Sequence, residues 1–369
     1  MIYLDSAATS FYKPQSVSRA MRCALAEMTS PGRGGHPAAM RAADTVYECR
    51  EAAAALFVMS DPTRVVFTMN ATHALNLAIR TCVRPGDAVV VSGYEHNSVT
   101  RPLHALGAEV RVAAGRLFSP EAVLEDFERL LPGAKCAVCT HVSNVFGFVL
   151  PVEEIAALCA AQGVPLIVDA SQSAGVLDVR LSALRAAFIA MPGHKSLLGP
   201  QGTGLLLCGM DAEPLLYGGT GSQSALQTMP EELPERLEAG THNVPGIAGL
   251  QAGLRYVSPR LADIRAQETR LLRQLAEGAR DLPDLELFYD ESARSQVGVL
   301  SMRSRTLDSE AFAERLAEHG VAVRAGLHCA PLGHRSAGTI ETGTVRFSMS
   351  PFNTEQEITE AIRILHRVL

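Results

Sequence analysis

The chain contains only three lysines, Lys13, Lys135 and Lys195, although lysine and arginine together number 33. Lys195 lies in the stretch MPGHKSLLGPQGTG, directly after the apolar run AAFIA and among glycine and proline residues. Lys13 is near the N-terminus and Lys135 is in the polar turn PGAK, so neither has this setting. An amine in a glycine-rich turn after a strand is suited to act as a nucleophile or a base, which makes Lys195 the candidate reactive residue.

Polar side chains also follow other apolar runs of the same region. Asp169 and Gln172 come at the end of VPLIVDA, and His96 follows DAVVVSGY. After RVVFT, the turn MNATHALN opens a helix whose N-terminal N–H groups suit a phosphate. Each feature alone is typical of a helix cap or a loop. Together, a lysine, an acid, an imidazole and an anion site on one sheet edge meet the needs of pyridoxal phosphate (PLP).

Two other chemistries are rejected. A phosphate-binding P-loop requires G-x-x-x-x-G-K-[ST], but His194 separates Gly193 from Lys195, and Phe188 stands five residues before Gly193, where the first glycine belongs. Cys136 and Cys139 form a C-x-x-C motif inside a strand pattern, where residues three apart face opposite sides of a sheet. We therefore predict neither a nucleotide-binding P-loop nor a metal site.

Strands and helices must place these groups at one edge. Between residues 64 and 208 short apolar runs alternate with helical stretches, which predicts an α/β fold with a mostly parallel, seven-stranded sheet flanked by helices. Ligands in such sheets bind beyond the carboxyl ends of the strands. After about residue 255 the pattern changes to a smaller α+β domain. We predict a large domain over 1–255 and a small one over 256–369, with about the first 20 residues able to pack on the small one.

Composition excludes several classes of protein. With 369 residues the chain exceeds the roughly 250–300 that one core accommodates, which also favours two domains. A net charge of -6 and the lack of basic blocks argue against nucleic acid and anionic membranes as partners. The start MIYLDSAATS resembles no signal peptide, no apolar run is long enough to span a bilayer, and the cysteines form no disulfide framework. We expect a cytoplasmic protein.

Longer motifs resemble a known family over nearly the whole chain. DASQSAG and GHKSLLGPQGTG resemble class V enzymes of the fold-type I PLP-dependent transferases. EAGTHN and RAGLHCA resemble the cysteine desulfurases, and the form R-x-G-x-H-C-A resembles their SUF-type (group II) branch. The resemblance runs from LDSAATS near the start to VRFSMSPFNT near the end.

The resemblance implies a role for each matching residue. Around the cofactor, Lys195 would form the Schiff base, Asp169 would pair with the pyridine nitrogen, Gln172 would bond the ring hydroxyl, His96 would stack on the ring, and Thr72 and His194 would hold the phosphate. Toward the substrate, Asn144 and Arg346 would bind the carboxylate and Cys329 would accept the sulfur. Thr241 would reach the phosphate of the neighbouring subunit, which implies a homodimer with shared active sites.

Two positions depart from the family pattern. Pro192 and Ala71 stand where hydroxyl residues are common, and Ser222 or His73 are candidates to replace the missing phosphate contacts. Arg324 and His328 are expected to lower the pKa of Cys329, because nearby positive charge favours a thiolate.

The reaction that the resemblance implies converts L-cysteine to L-alanine and leaves a persulfide on Cys329. A sulfur-acceptor protein would then receive the sulfur, for iron–sulfur cluster or related assembly. Two alternatives stay open at this point. One is a selenocysteine lyase, or another class V lyase or aminotransferase, and the other is a sulfur-carrier protein that has kept the fold without the activity.

Overall fold

The computed structural model of the chain describes residues 1–31, 34–292 and 294–369. Its strands, in chain order, are β1 (Ile2–Tyr3), β2 (Val65–Thr68), β3 (Ala88–Ser92), β4 (Glu109–Ala113), β5 (Cys136–Thr140), β6 (Leu166–Asp169), β7 (Phe188–Pro192), β8 (Gly204–Cys208), β9 (Leu285–Phe288), β10 (Val299–Ser304), β11 (Val321–Ala322), β12 (Arg324–Gly326) and β13 (Thr344–Ser348). Its α-helices are α1 (Gln15–Glu27), α2 (Pro37–Leu56), α3 (Ala71–Cys82), α4 (Asn97–Leu106), α5 (Pro120–Leu130), α6 (Val152–Ala161), α7 (Leu181–Leu184), α8 (Val244–Val257), α9 (Leu261–Ala279), α10 (Ser309–Glu318), α11 (Pro331–Ser336) and α12 (Glu355–Val368).

The predicted seven-stranded sheet is confirmed, and its strands are the short apolar runs between residues 64 and 208. Its strand order is β2-β8-β7-β6-β5-β3-β4, and β8 is antiparallel to both of its neighbours while the remaining pairs are parallel. Strands β3 and β5 to β8 are buried throughout, which explains why they read as continuous apolar runs and not as alternating ones.

Two apolar clusters cover the two faces of this sheet. Cys139 and Val168 belong to one cluster, whereas Cys136 and Ile167 belong to the other. The two cysteines of the C-x-x-C motif therefore lie on opposite faces of β5, as predicted. A hydrogen bond to Cys82 and burial raise the pKa of the Cys136 thiol well above its ordinary value, and burial does the same for Cys139, so both thiols are inert.

The C-terminal part forms a second sheet of four antiparallel strands, in the order β12-β13-β10-β9. Helices α9, α10 and α12 belong to this part, and α12 begins with a capping box between Thr354 and Glu357. The N-terminal strand β1 pairs with β11 of this part, and Leu4 packs in its core. The division between 255 and 256 falls inside α8 and stays a prediction.

Among the residues that the structure describes, no helix is long and apolar enough to cross a membrane.

Candidate active site

A cavity of about 220 Å³ lies at the carboxyl edge of the large sheet, where the parallel strands β5, β6 and β7 end. The structure brings eight of the ten predicted site residues to its wall: Thr72, His96, Asn144, Asp169, Gln172, His194, Lys195 and Arg346. Arg346 comes from β13 of the C-terminal part, so the cavity lies between the two sheets. The other two predicted residues, Thr241 and Cys329, do not line this cavity within the described chain.

Lys195 lies three residues beyond the end of β7. Burial lowers the pKa of Lys195 to about 8, while the neighbouring Asp169 carboxylate opposes that shift and Arg346 adds to it. An amine with this pKa is about one-tenth deprotonated at pH 7, a far larger fraction than for an ordinary lysine. The environment therefore prepares Lys195 for nucleophilic attack and for proton transfer.

Asp169 is the last residue of β6 and is only 3% exposed. Its Oδ1 accepts a hydrogen bond from the Ser171 backbone N–H (2.9 Å). Gln172 lies one turn further on and donates from Nε2 to the carbonyl oxygen of Ala7 (3.0 Å). An acid held at the end of a buried strand, with an amide beside it, suits a positively charged ring nitrogen and a ring hydroxyl.

The anion site at the start of α3 includes Ser98, which the sequence did not single out. Asn70 caps this helix by accepting from the backbone N–H of His73 (2.9 Å), and Thr72 lies in its first turn. Thr72 Oγ1 contacts Ser98 Oγ (2.7 Å), and Ser98 Oγ also contacts His96 Nδ1 (2.9 Å). Ser98 thus links the predicted phosphate and ring-stacking residues, and it lines the cavity itself. The sequence signal that could have identified Ser98 is its position two residues after His96, in the first turn of α4.

His96 caps α4 and presents a neutral ring. Burial lowers the pKa of His96 to about 4, with a further lowering from Lys195. The preceding residue, Glu95, is fully buried, and its carboxylate accepts from Ser92 Oγ and from the Thr140 backbone N–H (2.6 Å). Burial raises the pKa of Glu95 to about 8, so it is mostly protonated at pH 7. Glu95 thereby connects β3 to β5 behind the site without adding a second full negative charge near Asp169.

His194 is held by the N-terminal segment of the chain. Its Nδ1 lies 3.0 Å from Thr9 Oγ1, and burial lowers the pKa of His194 to about 4. Pro192 and Ala71, the two departures from the family pattern, both line the cavity. His73 and Ser222, suggested above as replacements, do not line it within this chain, whereas the Ser98 hydroxyl does.

Arg346 and Asn144 form one hydrogen-bonded unit. Arg346 is almost completely buried, and its Nη1 donates to the backbone oxygen of Asn144 (3.0 Å). The Asn144 side chain in turn donates from Nδ2 to the backbone oxygen of His328 (2.8 Å). The predicted carboxylate-binding pair is thus joined directly to the loop that carries Cys329.

Cys329 lies in a four-residue connection between β12 and α11 and is exposed. Its backbone oxygen accepts from the Asn97 N–H (2.8 Å), next to His96, so the loop is attached beside the cavity. Both His328 and Cys329 adopt left-handed backbone conformations, with φ of 50° and 57°. Such conformations are costly for residues other than glycine and persist where the surroundings enforce them, often at functional sites.

The expectation that His328 is a positively charged neighbour of Cys329 is wrong. The His328 side chain is buried, and burial followed by the charge of Arg346 lowers its pKa to about 2, which leaves the imidazole neutral. Its Nε2 contacts the backbone oxygen of Thr344 (3.1 Å). His328 therefore supplies packing and loop geometry and no positive charge.

Thr241 is exposed and lines a different cavity of about 230 Å³, together with His73, Glu238 and Asn243. The segment is fixed by Glu238, which pairs with the buried Arg50 and accepts from the Phe67 backbone N–H (2.6 Å). Since Thr241 does not reach the Lys195 cavity of its own chain, a contact with the phosphate of a partner subunit stays a prediction.

The groups around the Lys195 cavity fit PLP in chemistry and in position. They comprise a lysine with a lowered pKa, a buried carboxylate at a strand end, a neutral imidazole and a capped helix N-terminus with two hydroxyls beside it. A mostly parallel sheet with this set at its carboxyl edge defines a PLP-dependent enzyme of fold type I.

Comparison with known proteins gives the family. The model of the family described as Aminotransferase class-V matches residues 2–360, so the chain belongs to the class-V aminotransferases, whose enzymes use PLP. A probable cysteine desulfurase of Methanothermobacter thermautotrophicus is 34% identical over 378 residues, which cover 97% of this chain and 92% of the relative. A probable cysteine desulfurase of Pyrococcus abyssi is 32% identical over 100% of this chain and 94% of its own length. The apo structure of a cysteine desulfurase from Thermococcus onnurineus NA1 superposes with a TM-score of 0.89 at 31% identity, covering 99% of this chain and 94% of that one.

Proposed function

We propose that the chain is a cysteine desulfurase that converts L-cysteine and the Cys329 thiol to L-alanine and a Cys329 persulfide. The observation that carries the proposal is the attachment of the Cys329 loop beside the cavity, by hydrogen bonds from Asn97, which follows the cavity residue His96, and from the cavity residue Asn144. A thiol held there can approach the sulfur of an amino acid whose carboxylate is bound by Arg346. The relatives named above, which share at least 31% identity over nearly the whole chain, support the same activity.

The residues of the chain divide the work as follows. Arg346 and Asn144 hold the substrate carboxylate, which orients Cα toward Lys195. Bound PLP supplies an electron sink for the charge that develops at Cα. Lys195 Nζ removes the Cα proton and returns a proton to the product side, and its lowered pKa suits both steps near neutral pH. Asp169 stabilises the positive charge of the ring nitrogen, and His96 provides a neutral surface for the ring.

Sulfur transfer needs no oxidant or reductant other than the Cys329 thiol and the substrate itself. The Cys329 sulfur attacks the substrate sulfur, the substrate C–S bond breaks, and its electron pair takes up a proton at Cβ to give the methyl group of alanine. The product sulfur remains on Cys329 as a persulfide, available to a sulfur-acceptor protein. The short, four-residue Cys329 loop supports the SUF-type (group II) branch.

Three further properties belong to this proposal. The functional unit is a homodimer in which Thr241 contributes to the partner's phosphate site. The sulfur passes to an acceptor protein that serves iron–sulfur cluster or related assembly. The protein works in the cytoplasm, which the presence of eight cysteines, all as free thiols, supports.

Replacement of Cys329 by alanine tests the sulfur-transfer step. The variant is expected to bind PLP and L-cysteine as the wild type does but to release no alanine from L-cysteine. Cys23, the other exposed cysteine, lies on α1 and provides the matched control, since Cys23→Ala is expected to keep full activity. Mass spectrometry of the wild type after brief exposure to L-cysteine should find one added sulfur on the Cys329 peptide and none on the Cys23 peptide.

Alanine release from L-cysteine at the wild-type rate by Cys329→Ala would refute the persulfide mechanism. The protein would then be a lyase of the same fold. Parallel assays with L-selenocysteine separate the two cases, because its weaker carbon–selenium bond can break without the thiol.

The lysine assignment has its own test. Reduction of the holoenzyme with borohydride fixes the cofactor covalently to its lysine, and peptide mapping is expected to find it on Lys195. Lys13 and Lys135 are internal controls in the same digest. Label on either of them would contradict the assignment.

A further inference from the structure

The N-terminal segment from Asp5 to Thr9 touches three of the predicted site residues, although nothing above assigns it a role in the reaction. The contacts join Asp5 to Arg346, Ala7 to Gln172, and Thr9 to His194. The segment reaches the site because β1 pairs with β11 and the backbone of residues 4–6 continues along β13 at Ser348.

The contact between Asp5 and Arg346 is the only ion pair made by Arg346 within the described chain. Arg346 Nη2 lies 2.7 Å from Asp5 Oδ1, and the side chain of Arg346 is 1% exposed. Burial lowers the pKa of Arg346, and the Asp5 carboxylate opposes that shift more than any other group. A buried guanidinium without a partner is strongly unfavourable, so Asp5 sustains the charge on which carboxylate recognition depends.

The geometry separates Asp5 from the substrate side of Arg346. Arg346 lines the Lys195 cavity, whereas Asp5 does not. Asp5 therefore does not occupy the place of a substrate carboxylate, and it contacts the guanidinium from outside the cavity. The backbone oxygen of Asn144 accepts a hydrogen bond from a second nitrogen of the guanidinium, Nη1. Two fixed contacts on different nitrogens hold the plane of the guanidinium, and Nε is buried without a partner in the described residues.

We propose that Asp5 is a positioning residue for substrate recognition: it holds the Arg346 guanidinium charged and oriented so that its remaining N–H groups face the cavity and bind the α-carboxylate. The proposal rests on the proposed function, because it takes Arg346 as the carboxylate site. A planar, bidentate contact with a carboxylate requires a fixed guanidinium, so loss of Asp5 costs affinity for ligands with a carboxylate and not for those without one.

The test compares two ligands that differ only in the carboxylate, L-alanine and ethylamine, in titrations of the holoenzyme followed by absorbance. Asp5→Asn, which removes the charge and keeps the size, is expected to weaken L-alanine binding about tenfold and to leave ethylamine binding unchanged. In turnover, KM for L-cysteine should rise by a similar factor while kcat changes less than about twofold. Asp5→Glu, which keeps the charge but displaces it, should bind L-alanine more weakly than the wild type and more tightly than Asp5→Asn.

Two further variants make the test specific. Thr9→Val removes a contact of the same segment with His194, and it should not change the preference for L-alanine over ethylamine. In an Arg346→Gln background that preference should already be lost, and Asp5→Asn should then have no further effect on it. Equal weakening of both ligands by Asp5→Asn, or no weakening of L-alanine, would overturn the proposal.

Failure of the proposed function has a different signature. It would show as a wild-type protein that makes no alanine from L-cysteine. Failure of the present inference would show as an active wild type whose carboxylate preference survives the loss of Asp5.

Discussion

Replacement of Glu268 by glutamine is expected to stabilise the folded protein at pH 7 and to have much less effect at pH 5. Glu268 lies on α9, is 4% exposed, and accepts no hydrogen bond from the described residues. Its Oε2 lies 2.8 Å from the position that a Cβ at Gly298 would occupy. It lines a small cavity of about 20 Å³ beside Gln172 and Ser196, next to the site.

The magnitude follows from the pKa. Burial raises the pKa of Glu268 from 4.5 to about 8. Between these values the folded state binds more protons than the unfolded state, so stability falls as pH rises, by about 1.4 kcal/mol per pH unit. At pH 5 the cost is below about 1 kcal/mol, and by pH 7 it reaches about 3 kcal/mol. Glutamine has the same shape and does not ionise, so its advantage should grow by about 2–3 kcal/mol from pH 5 to pH 7.

Thermal unfolding of the holoenzyme and the variant at pH 5, 6, 7 and 8 measures this difference. A gain of about 2–3 kcal/mol corresponds to roughly 3–4 °C in Tm for a chain of this size. Glu95 also has a raised pKa, but it is present in both proteins and cancels in the comparison. Glu277→Gln, an exposed substitution on the same helix, is the control and should show no such trend. An effect of Glu268→Gln that is equal at pH 5 and pH 7 would refute the reasoning, because it would mean that the carboxyl is not neutralised by folding.

Two predictions concern the site itself. Asp169→Asn should keep PLP bound but slow Cα proton exchange from L-alanine by at least about tenfold, because the ring nitrogen loses its negative partner; near-normal exchange, measured by deuterium incorporation, would count against this geometry. If Thr241 completes the partner's site, mixing Lys195→Ala chains with Thr241→Ala chains should give hybrid dimers in which one site carries both defects and the other carries neither. Activity of the mixture should then exceed the sum of the activities of the two variants measured separately. Activity equal to that sum would exclude shared sites.

The clustering of Asp169, His96 and Lys195 was predictable from the sequence for a physical reason. Each lies at the end of a buried strand of one sheet or a few residues beyond it, and the carboxyl ends of parallel strands meet at one edge. The strand pattern therefore specified the position of these groups before any contact was known. The antiparallel direction of β8 was not predictable in this way, because a buried strand shows the same apolar run in either direction.

Contacts made by irregular segments could not be predicted from local patterns. Asp5 and Thr9 reach Arg346 and His194 across more than 180 residues of sequence, through pairing that depends on the whole fold. Glu268 is different, since a local signal existed. It lies four residues after Ile264 and three before Leu271, which places an acid on the apolar face of α9 and marks it as buried.

Under the proposed function, Asn144 couples substrate binding to sulfur transfer. Its backbone oxygen accepts from Arg346, the proposed carboxylate site, and its side chain donates to the backbone oxygen of His328, the residue before Cys329. The two groups proposed to act on one substrate molecule are thus both held by a single residue after β5. A displacement of the cysteine loop relative to the guanidinium therefore requires breaking a buried hydrogen bond, which costs about 1–3 kcal/mol when the polar groups are left unpaired. The left-handed conformations at His328 and Cys329 lie in the same loop, where the backbone oxygens of these residues accept from Asn144 and Asn97.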